Sequence, residues 1–334
     1  MPRQGRLHIP GGYYHVMGRG LERRRIFQSR FDKQDFLSRL EMGLSRTDSH
    51  CIAWAIMSNH YHLLIRAGTV SLTQLMQPLL GGYAGSYNRR HNRVGYVFQN
   101  RYKSILCDEE QYFLELIRYI HLNPVKAGLI KSVNQLNTYP WTGHACLVGK
   151  NINTWQSVSE VLDRFGGNTV QGVIRYNRFM RDGMDIDLEK LFDGGGLVRS
   201  HGGWEGIRMC RKEHEVRIGD ERILGKTSFV EKALRQDELE INQKTKLLNA
   251  GWEIERLIDY ICQEFEVDKK FIMYKGRSNK ISHAKALVCY FALRELGIST
   301  SKIATRLEIS QSAVSQCVKR GEILRKKMKI ELDS

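Results

Sequence analysis

The sequence CIAWAIMSNHYHLLIR at residues 51–66 constrains the fold more than any other part of the chain. Its apolar, β-prone halves are separated only by the polar pair Ser58 and Asn59, a pattern typical of an antiparallel hairpin. Because side chains alternate between the faces of a strand, His60 and His62 lie on the same face. Two imidazoles about 7 Å apart along a strand can bind one metal ion, although an isolated His-x-His pair more often packs or is solvated. A metal site therefore needs a third ligand and a reactive group from elsewhere in the chain.

The segments around this hairpin predict a domain built on a sheet. Short strands are predicted at residues 13–17 (YYHVM) and 102–106, one before and one after the hairpin. Apolar residues at helical spacing predict a helix after Asp32 and a second helix over residues 71–88. The order strand, helix, strand, strand, helix, strand is that of a ferredoxin-like antiparallel sheet with its helices on one face, which makes the expected fold class α+β. We expect this domain to span residues 1–145.

A further helix offers the missing ligand and reactive group. It is predicted to begin at the acidic residues 108–110, which suit the positive end of a helix dipole, and to end near Asn123 because Pro124 follows. Tyr119 and Asn123 are four residues apart and are therefore neighbours on one helix face. An amide oxygen and a phenol in this place could join the two histidines as third ligand and nucleophile.

Tyr112 is an alternative nucleophile, because its position seven residues before Tyr119 puts it on nearly the same helix face. The residue four positions after Tyr112 is Leu116, which cannot bind a metal, so the pattern favours Tyr119. Either tyrosine could instead be an aromatic side chain packed on the sheet.

The basic character of the chain indicates the class of its partner. A net charge of +16 and an isoelectric point near 9.6 favour a polyanion, with nucleic acid ahead of a membrane surface. The basic, glycine-containing loop at residues 18–25 and the arginines after the second helix are predicted phosphate contacts, although a merely solvated charged surface has the same sequence pattern. In the N-terminal domain the residues expected to contact DNA are Arg19, Arg23, Arg24, Arg25, Arg89, Arg90, Arg101 and Lys103.

Nothing in the sequence suggests export or insertion into a membrane. The N-terminal residues MPRQGRLHIPGG lack an apolar signal core, and no apolar run approaches the roughly 18 residues of a membrane span. The seven cysteines are scattered and form no Cys-x-x-Cys pair, which argues against a disulfide framework and against a zinc knuckle. We therefore expect a cytoplasmic protein with no membrane partner.

The middle of the chain, residues 146–227, carries no functional signal and is expected to be a connecting region. Helices are predicted at residues 155–165 and 173–180, and loops at the glycine-rich residues 194–196 and 202–203. The stretch GDERILGKT resembles a phosphate-binding loop, but five residues separate its glycines where that motif requires four. We therefore predict no nucleotide hydrolysis.

The C-terminal domain, residues 228–334, is predicted to be helical and to contain a helix-turn-helix. Helices over residues 300–307 and 311–320 flank a tight turn, and the second helix carries outward hydrogen-bonding and basic side chains suited to a DNA major groove. An ordinary helical hairpin with a solvated face has the same pattern, and the charge of the whole chain favours DNA binding. The expected contacts are Gln311, Ser312, Ser315, Gln316, Lys319 and Arg320.

Four motifs in order, GGYYHVMGRG, MSNHYHLLIR, QNRYKS and RYIHLNPVKAGL, resemble those of the single-tyrosine HUH transposases, above all the REP-associated tyrosine transposases of bacteria. The resemblance covers residues 10–130. It implies that Tyr119 attacks DNA beside a divalent cation, Mg²⁺ or Mn²⁺, whose ligands are His60, His62 and Asn123. Residues 278–320 are also similar to the DNA-binding domain of bacterial replication initiators.

The resulting expectation is a metal-dependent single-stranded DNA endonuclease and strand transferase that acts near hairpin DNA through a covalent phosphotyrosine intermediate. Two other functions remain open: a non-catalytic DNA-binding regulator that uses the helix-turn-helix, and a histidine-dependent RNA-processing nuclease without a covalent tyrosine. The expected partners are single-stranded or hairpin DNA at the N-terminal domain and duplex DNA at the C-terminal domain. The resemblance leaves both a monomer and a homodimer open.

Overall fold

The computed structural model describes residues 5–68, 70–186, 219–274 and 280–332. The chain divides into two compact units, one made of Met1–Ser45 and Ser49–Ala233, the other of Arg46–Asp48 and Leu234–Ser334. The predicted glycine-rich loops at residues 194–196 and 202–203 lie outside the described residues.

The first unit is built on a five-stranded sheet with the strand order β2-β3-β1-β4-β5. All neighbouring strands are antiparallel except β4 and β5, which are parallel. The α+β class and the ferredoxin-like order of the first four strands are confirmed. The fifth strand, and with it the parallel pair, was not predicted because a strand of two residues has no sequence periodicity. The strands are β1 (Tyr13–Arg19), β2 (His50–Ile56), β3 (His60–Arg66), β4 (Lys103–Cys107) and β5 (Ile223–Leu224).

Helices cover both faces of this sheet. Helices α1 (Arg30–Thr47) and α2 (Leu72–Arg90) share one face, where the ring of Phe36 lies 4.9 Å from that of Tyr61 and 5.5 Å from that of Tyr83. Helix α3 (Glu109–Lys126) packs on the opposite face. The predicted arrangement of helices on one face is therefore confirmed for α1 and α2. Helix α3 lies on the other face, and its side of the sheet is decided by long-range packing.

Helix α3 begins where the sequence indicates and runs further than predicted. The Asp108 carboxylate accepts a hydrogen bond from the Glu110 backbone N–H at 3.2 Å, which caps the first turn. The helix continues through Pro124 to Lys126, whereas Pro124 predicted an end near Asn123. A proline in the last turn removes one helical hydrogen bond, and the burial of Pro124 and Val125 in the core opposes that loss.

The segment after residue 145 belongs to the first unit. Helices α4 (Val133–Leu136), α5 (His144–Leu147), α6 (Val158–Leu162) and α7 (Val170–Asp182) add apolar side chains to the core under α3. The same segment covers the open edge of β2: the Ile56 N–H donates to the Trp141 carbonyl and the Ser157 N–H to the Cys51 carbonyl, both at 2.9 Å. Covering the edge removes unpaired backbone groups that could otherwise bind another strand.

The chain after β5 is helical, with α8 (Thr227–Asn249), α9 (Ile254–Glu264), α10 (Lys280–Arg294), α11 (Thr300–Arg306) and α12 (Gln311–Met328). In the second unit, α11 and α12 are joined by a short turn, as predicted, but α12 continues eight residues beyond Arg320. Glycine at position 321 lets this longer α12 pack closely against α10, because a Cβ atom there would lie 2.3 Å from the Ala286 carbonyl oxygen of α10. Among the helices in the described ranges, none has both the length and the apolarity needed to cross a membrane.

Candidate active site

The hairpin of β2 and β3 fixes the two histidines of the HYH motif. In the antiparallel pair of β1 and β3, His60 lies opposite Arg19 and His62 opposite Met17. The imidazole centroids of His60 and His62 are 5.1 Å apart, with the rings perpendicular. Tyr61 points to the other face, where its ring packs on α1. The two imidazoles thus share the face that α3 covers.

Helix α3 brings Tyr119 and Asn123 to these histidines. The Tyr119 ring stands edge-on to that of His62, with 5.4 Å between centroids. Asn123 is hydrogen-bonded through its side chain to His60, and its Nδ2 donates to the Tyr119 carbonyl at 2.9 Å. This bond to the Tyr119 carbonyl leaves the amide oxygen of Asn123 available as a ligand.

Tyr112, the alternative nucleophile, lies elsewhere. Its side chain is buried in the core under α3, together with Phe113 and Leu116. Burial, with smaller effects from Asp108 and Cys107, raises the pKa of Tyr112 to about 12. A buried phenol in apolar surroundings cannot meet a DNA phosphate, so the geometry favours Tyr119.

His15 is a site residue that the sequence analysis missed. Its Nε2 lies 3.0 Å from Nδ1 of His62, and the two rings stack with centroids 5.2 Å apart. The His15 ring also meets the Tyr119 ring edge-on at 5.8 Å. The contact depends on the register of β1 against β3, which nothing in the motif YYHVM specifies.

Burial keeps the two motif histidines neutral. Burial, together with the positive charge of Arg19 and against a hydrogen bond to Asn123, lowers the pKa of His60 to about 4. Burial and then the neighbouring imidazoles of His15 and His60 hold the pKa of His62 well below its ordinary value of 6.5. At neutral pH both rings therefore keep a lone pair that can bind a cation.

The donor set fits a divalent cation. Nδ1 of His62 contacts His15 and Nδ1 of His60 contacts the Asn59 amide oxygen at 2.7 Å, which leaves Nε2 of each ring for a metal. Within the described ranges no group of three or more His, Cys, Asp or Glu side chains is arranged to hold a metal. The candidate ligands for a cation at this site are His60, His62 and the Asn123 amide oxygen.

The site opens into a basic cavity of about 360 Å³. Its lining includes both motif histidines and three of the predicted DNA contacts, Arg19, Arg101 and Lys103. Gln99 and Asn100 add hydrogen-bonding groups. The cavity has room and charge for a phosphate-bearing substrate at the rings of His60 and His62.

A family model matches part of the sequence. Residues 9–123 match the family model described as IS200-like transposase. The match covers about a third of the chain and makes this region similar to IS200-like transposases. Residues 9–123 are termed the IS200-like domain below.

Two further comparisons concern solved structures and curated proteins. A solved structure of a REP-associated tyrosine transposase bound to a REP hairpin is similar over 47% of this chain and 98% of that chain, with 14% identity and a TM-score of 0.37. No curated protein matches the chain.

The other basic residues predicted for the IS200-like domain lie outside the cavity. Arg23, Arg24 and Arg25 are exposed in the turn after β1, and Arg24 forms an ion pair with Glu22 at 2.6 Å. Arg89 is exposed in the last turn of α2.

Arg90 does not fit the predicted role in DNA binding. Its guanidinium is bound by Asp32 at 2.8 Å and by Asp35 at 3.0 Å, both on α1. The Asp32 carboxylate is fully buried and also contacts His91. Arg90 therefore balances a buried charge between α1 and α2, which a sequence pattern cannot distinguish from a free arginine.

In the second unit, five of the six predicted DNA contacts are exposed on α12: Gln311, Ser312, Gln316, Lys319 and Arg320. The prediction was wrong for Ser315, which is buried and donates its hydroxyl to the Gln311 carbonyl at 3.2 Å. Arg320 also donates to the Ser282 carbonyl at 2.8 Å, so α10 fixes the direction of its guanidinium.

Proposed function

We propose that the IS200-like domain is a metal-dependent endonuclease and strand transferase for single-stranded DNA beside a hairpin. The observation that carries this proposal is the arrangement of Tyr119 at His62 and of Asn123 at His60, the two histidines that line a basic cavity. Two neutral imidazoles, an amide oxygen and an adjacent phenol are the parts that a phosphodiester transfer through tyrosine requires.

The residues that would hold the cation are His60, His62 and Asn123. When bound, Mg²⁺ or Mn²⁺ polarises the scissile phosphate and balances charge that develops on its oxygens. Three neutral ligands preserve the full charge of the cation for this purpose. Imidazole ligands favour Mn²⁺, while the greater abundance of Mg²⁺ in cells favours the other ion.

Tyr119 is the nucleophile in this proposal. Its Oη attacks the phosphorus, a phosphorus–Oη bond forms, and the bond to one deoxyribose oxygen breaks. The phenol loses its proton and the leaving oxygen gains one, so the strand ends in a free hydroxyl. The phosphodiester energy is kept in the phosphotyrosine, so rejoining needs no nucleotide hydrolysis. Contacts with His62 and His15 keep the Tyr119 ring in place.

Arg19, Arg101 and Lys103 would hold the DNA backbone in the cavity. These residues line the same cavity as His60 and His62, so a strand bound there would meet the two imidazoles, and the ring of His62 contacts that of Tyr119. Such contacts fix position without reading sequence. The arginines of the turn after β1 and Arg89 would extend this basic surface.

The second unit would add affinity for duplex DNA through α12. Its exposed Gln311 and Gln316 carry the donors that suit a major groove, and Lys319, which also pairs with Asp48 at 2.5 Å, adds charge. All six cysteines in the described ranges are free thiols, which supports a reducing cytoplasm as the place of action. A monomer and a homodimer are both compatible with this proposal.

Trapping a covalent adduct tests the proposed function. The purified full chain is incubated with Mn²⁺ and a labelled oligonucleotide hairpin that has single-stranded arms. We expect a labelled band of protein–DNA adduct that resists denaturation and disappears with a chelator. Binding without any adduct would instead support the non-catalytic DNA-binding regulator, which would bind DNA through the same exposed surface of α12. Cleavage of RNA without an adduct would support the histidine-dependent RNA nuclease.

A further inference from the structure

A second cavity, of about 490 Å³, lies between α1 and the segment of residues 138–155. Trp141 and Trp155 line it, together with the cationic side chains of Arg30 and Lys150. None of its lining residues lines the cavity of the candidate active site. The volume falls within the range of roughly 300–1,000 Å³ that is typical of pockets for small molecules or single nucleotides.

The two tryptophans are held by the sheet edge. The Trp155 ring lies 5.5 Å from that of Trp54, which is fully buried and donates its indole N–H to the Gln156 amide oxygen at 2.9 Å. The Trp141 carbonyl accepts a hydrogen bond from the Ile56 N–H of β2. Both tryptophans remain partly exposed. A ring fixed by packing, as that of Trp155 is, loses little conformational freedom when a flat ligand stacks on it.

Polar groups around the indoles suit a nucleotide. Arg30 and Lys150 are exposed and can pair with phosphates, and a third cation, Lys33, lies with its Nζ 4.9 Å from the centre of the Trp141 ring. The amides of Gln34, Asn151 and Asn153 offer donors and acceptors for base edges. Glu41 is the one carboxylate in the lining and can accept from an exocyclic amino group of a base.

We propose that this cavity, termed the tryptophan pocket, binds an unpaired nucleobase of single-stranded DNA and the phosphates next to it. Stacking on aromatic rings with cations beside them is the usual way in which proteins hold single strands. A base paired inside a duplex cannot present its face to Trp155. The inference rests on the proposed function to the extent that it takes single-stranded DNA as the substrate of the domain.

Tryptophan fluorescence tests the tryptophan pocket directly. The full chain with Tyr119→Phe, which excludes covalent chemistry, is titrated with oligo(dT) of about ten nucleotides. We expect saturable quenching, little quenching by a duplex, and loss of most of the quenching in Trp155→Phe, which keeps an aromatic ring against Trp54. Equal quenching by the duplex, or unchanged quenching in Trp155→Phe, would overturn the proposal.

A charge series separates the pocket from general attraction of DNA. The double variant Arg30→Gln/Lys150→Gln should weaken oligo(dT) binding about 5- to 50-fold. It should also reduce the salt slope, which is the slope of log affinity against log salt concentration, by about 1.4, or about 0.7 for each lost phosphate contact. The matched control Lys131→Gln/Arg178→Gln removes two exposed charges outside the pocket lining and should leave the quenching amplitude unchanged. Equal losses of affinity in the two double variants would refute the pocket.

Adduct trapping with Tyr119 restored distinguishes this inference from the proposed function. If oligo(dT) quenches fluorescence through Trp155 but no adduct forms on a hairpin, the nuclease proposal fails and the pocket stands. If adducts form and the quenching is absent, the pocket fails and the nuclease stands. If both proposals are correct, the variant Arg30→Gln/Lys150→Gln should form less adduct than the unchanged protein at limiting DNA. At saturating DNA the two proteins should form equal amounts of adduct.

Discussion

The Nε2 atom of His15 on β1 lies 3.0 Å from the Nδ1 atom of His62 on β3. This buried contact fixes the orientation of the His62 ring and directs its Nε2 away from His15. Hydrogen bonds to the second ring nitrogen commonly orient metal-binding histidines and raise their basicity. His15 therefore orients one of the proposed metal ligands, and its ring also lies edge-on to that of Tyr119.

Replacing His15 should weaken metal binding without removing a ligand. We expect His15→Phe, which keeps an aromatic ring between β1 and α3, to lower Mn²⁺ affinity about 10- to 100-fold, because the His62 ring loses its hydrogen-bond partner. Titration calorimetry with Mn²⁺ in the absence of DNA measures this. His15→Gln, which can still hydrogen-bond to Nδ1 of His62, should recover part of the loss. An Mn²⁺ affinity unchanged in both variants would exclude the supporting role.

The Asn123 amide oxygen is expected to be a ligand, with its nitrogen held by the Tyr119 carbonyl. Asn123→Ala should therefore reduce Mn²⁺ affinity and adduct formation together, and a higher Mn²⁺ concentration should restore part of the adduct. A chelator should abolish the adduct in every variant. Cleavage that persists without a divalent cation would contradict the assignment of His60, His62 and Asn123 as ligands.

Tyr119 and Tyr112 offer a matched pair on one helix. Tyr119→Phe should bring adduct formation below detection and leave DNA affinity nearly unchanged, because only the nucleophilic oxygen is lost. Tyr112→Phe should keep full adduct formation, since its side chain is buried in the core away from the cavity. Gel analysis of trapped adducts and fluorescence anisotropy with labelled DNA measure the two effects. An adduct in Tyr119→Phe would transfer the nucleophile to another residue.

Arg90 and Arg101 should respond to substitution in opposite ways. Arg90→Gln should lower the free energy of unfolding by roughly 2 kcal/mol, less than the 3–5 kcal/mol of a fully buried pair, because other donors still bind Asp32. Arg101→Gln should leave stability nearly unchanged and reduce the salt slope for single-stranded DNA by about 0.7. Urea unfolding and salt-dependent anisotropy separate the two. A salt-slope change in Arg90→Gln with no loss of stability would restore it as a DNA contact.

A buried histidine pair should make the stability of the first unit depend on pH. The Tyr176 hydroxyl lies 2.9 Å from Nδ1 of both His121 and His144, and both imidazoles are fully buried. Burial lowers the pKa of His144 to about 3, and burial with the neighbouring His144 lowers that of His121 well below 6.5. The unfolded chain therefore binds more protons than the folded chain at pH values below about 6.5.

The sign of this pH effect follows from the lowered pKa values. Stability is complete above pH 6.5 and falls as the pH decreases toward 3, by up to about 1.4 kcal/mol per pH unit for each histidine. His144→Gln should remove the contribution of one histidine from the change in the free energy of unfolding per pH unit. This expectation holds whatever the variant does to stability at neutral pH. Urea unfolding at several pH values, followed by tryptophan fluorescence, measures the slope. An equal slope in the variant would remove His144 as its source.

Much of the sheet and of the candidate site was predictable because it depends on local patterns. The alternation of apolar residues predicted the hairpin and placed His60 and His62 on one face, and the spacing of four residues paired Tyr119 with Asn123. Both follow from the fixed geometry of strands and helices. The order of strands and helices similarly predicted the first four strands of the sheet. The structure adds that the two pairs meet.

Long-range contacts decided what local patterns could not. The continuation of α3 through Pro124 and the burial of Ser315 depend on the surroundings of each residue. The function of Arg90 depends on the approach of Asp32 from another helix. The identity of an arginine or a serine in the sequence does not show whether its side chain is exposed to solvent or bonded inside the fold.

The order of residues is enough to predict that two imidazoles share one face and that a phenol and an amide share another, because backbone periodicity sets which neighbours lie together. The folded chain is needed to see that Tyr119 of α3 lies against His62 of β3, that Tyr112 is in the core, and that His15 contacts His62. Those outcomes depend on strand register and on the packing of one helix face against a sheet, which are set by contacts between residues far apart in the chain.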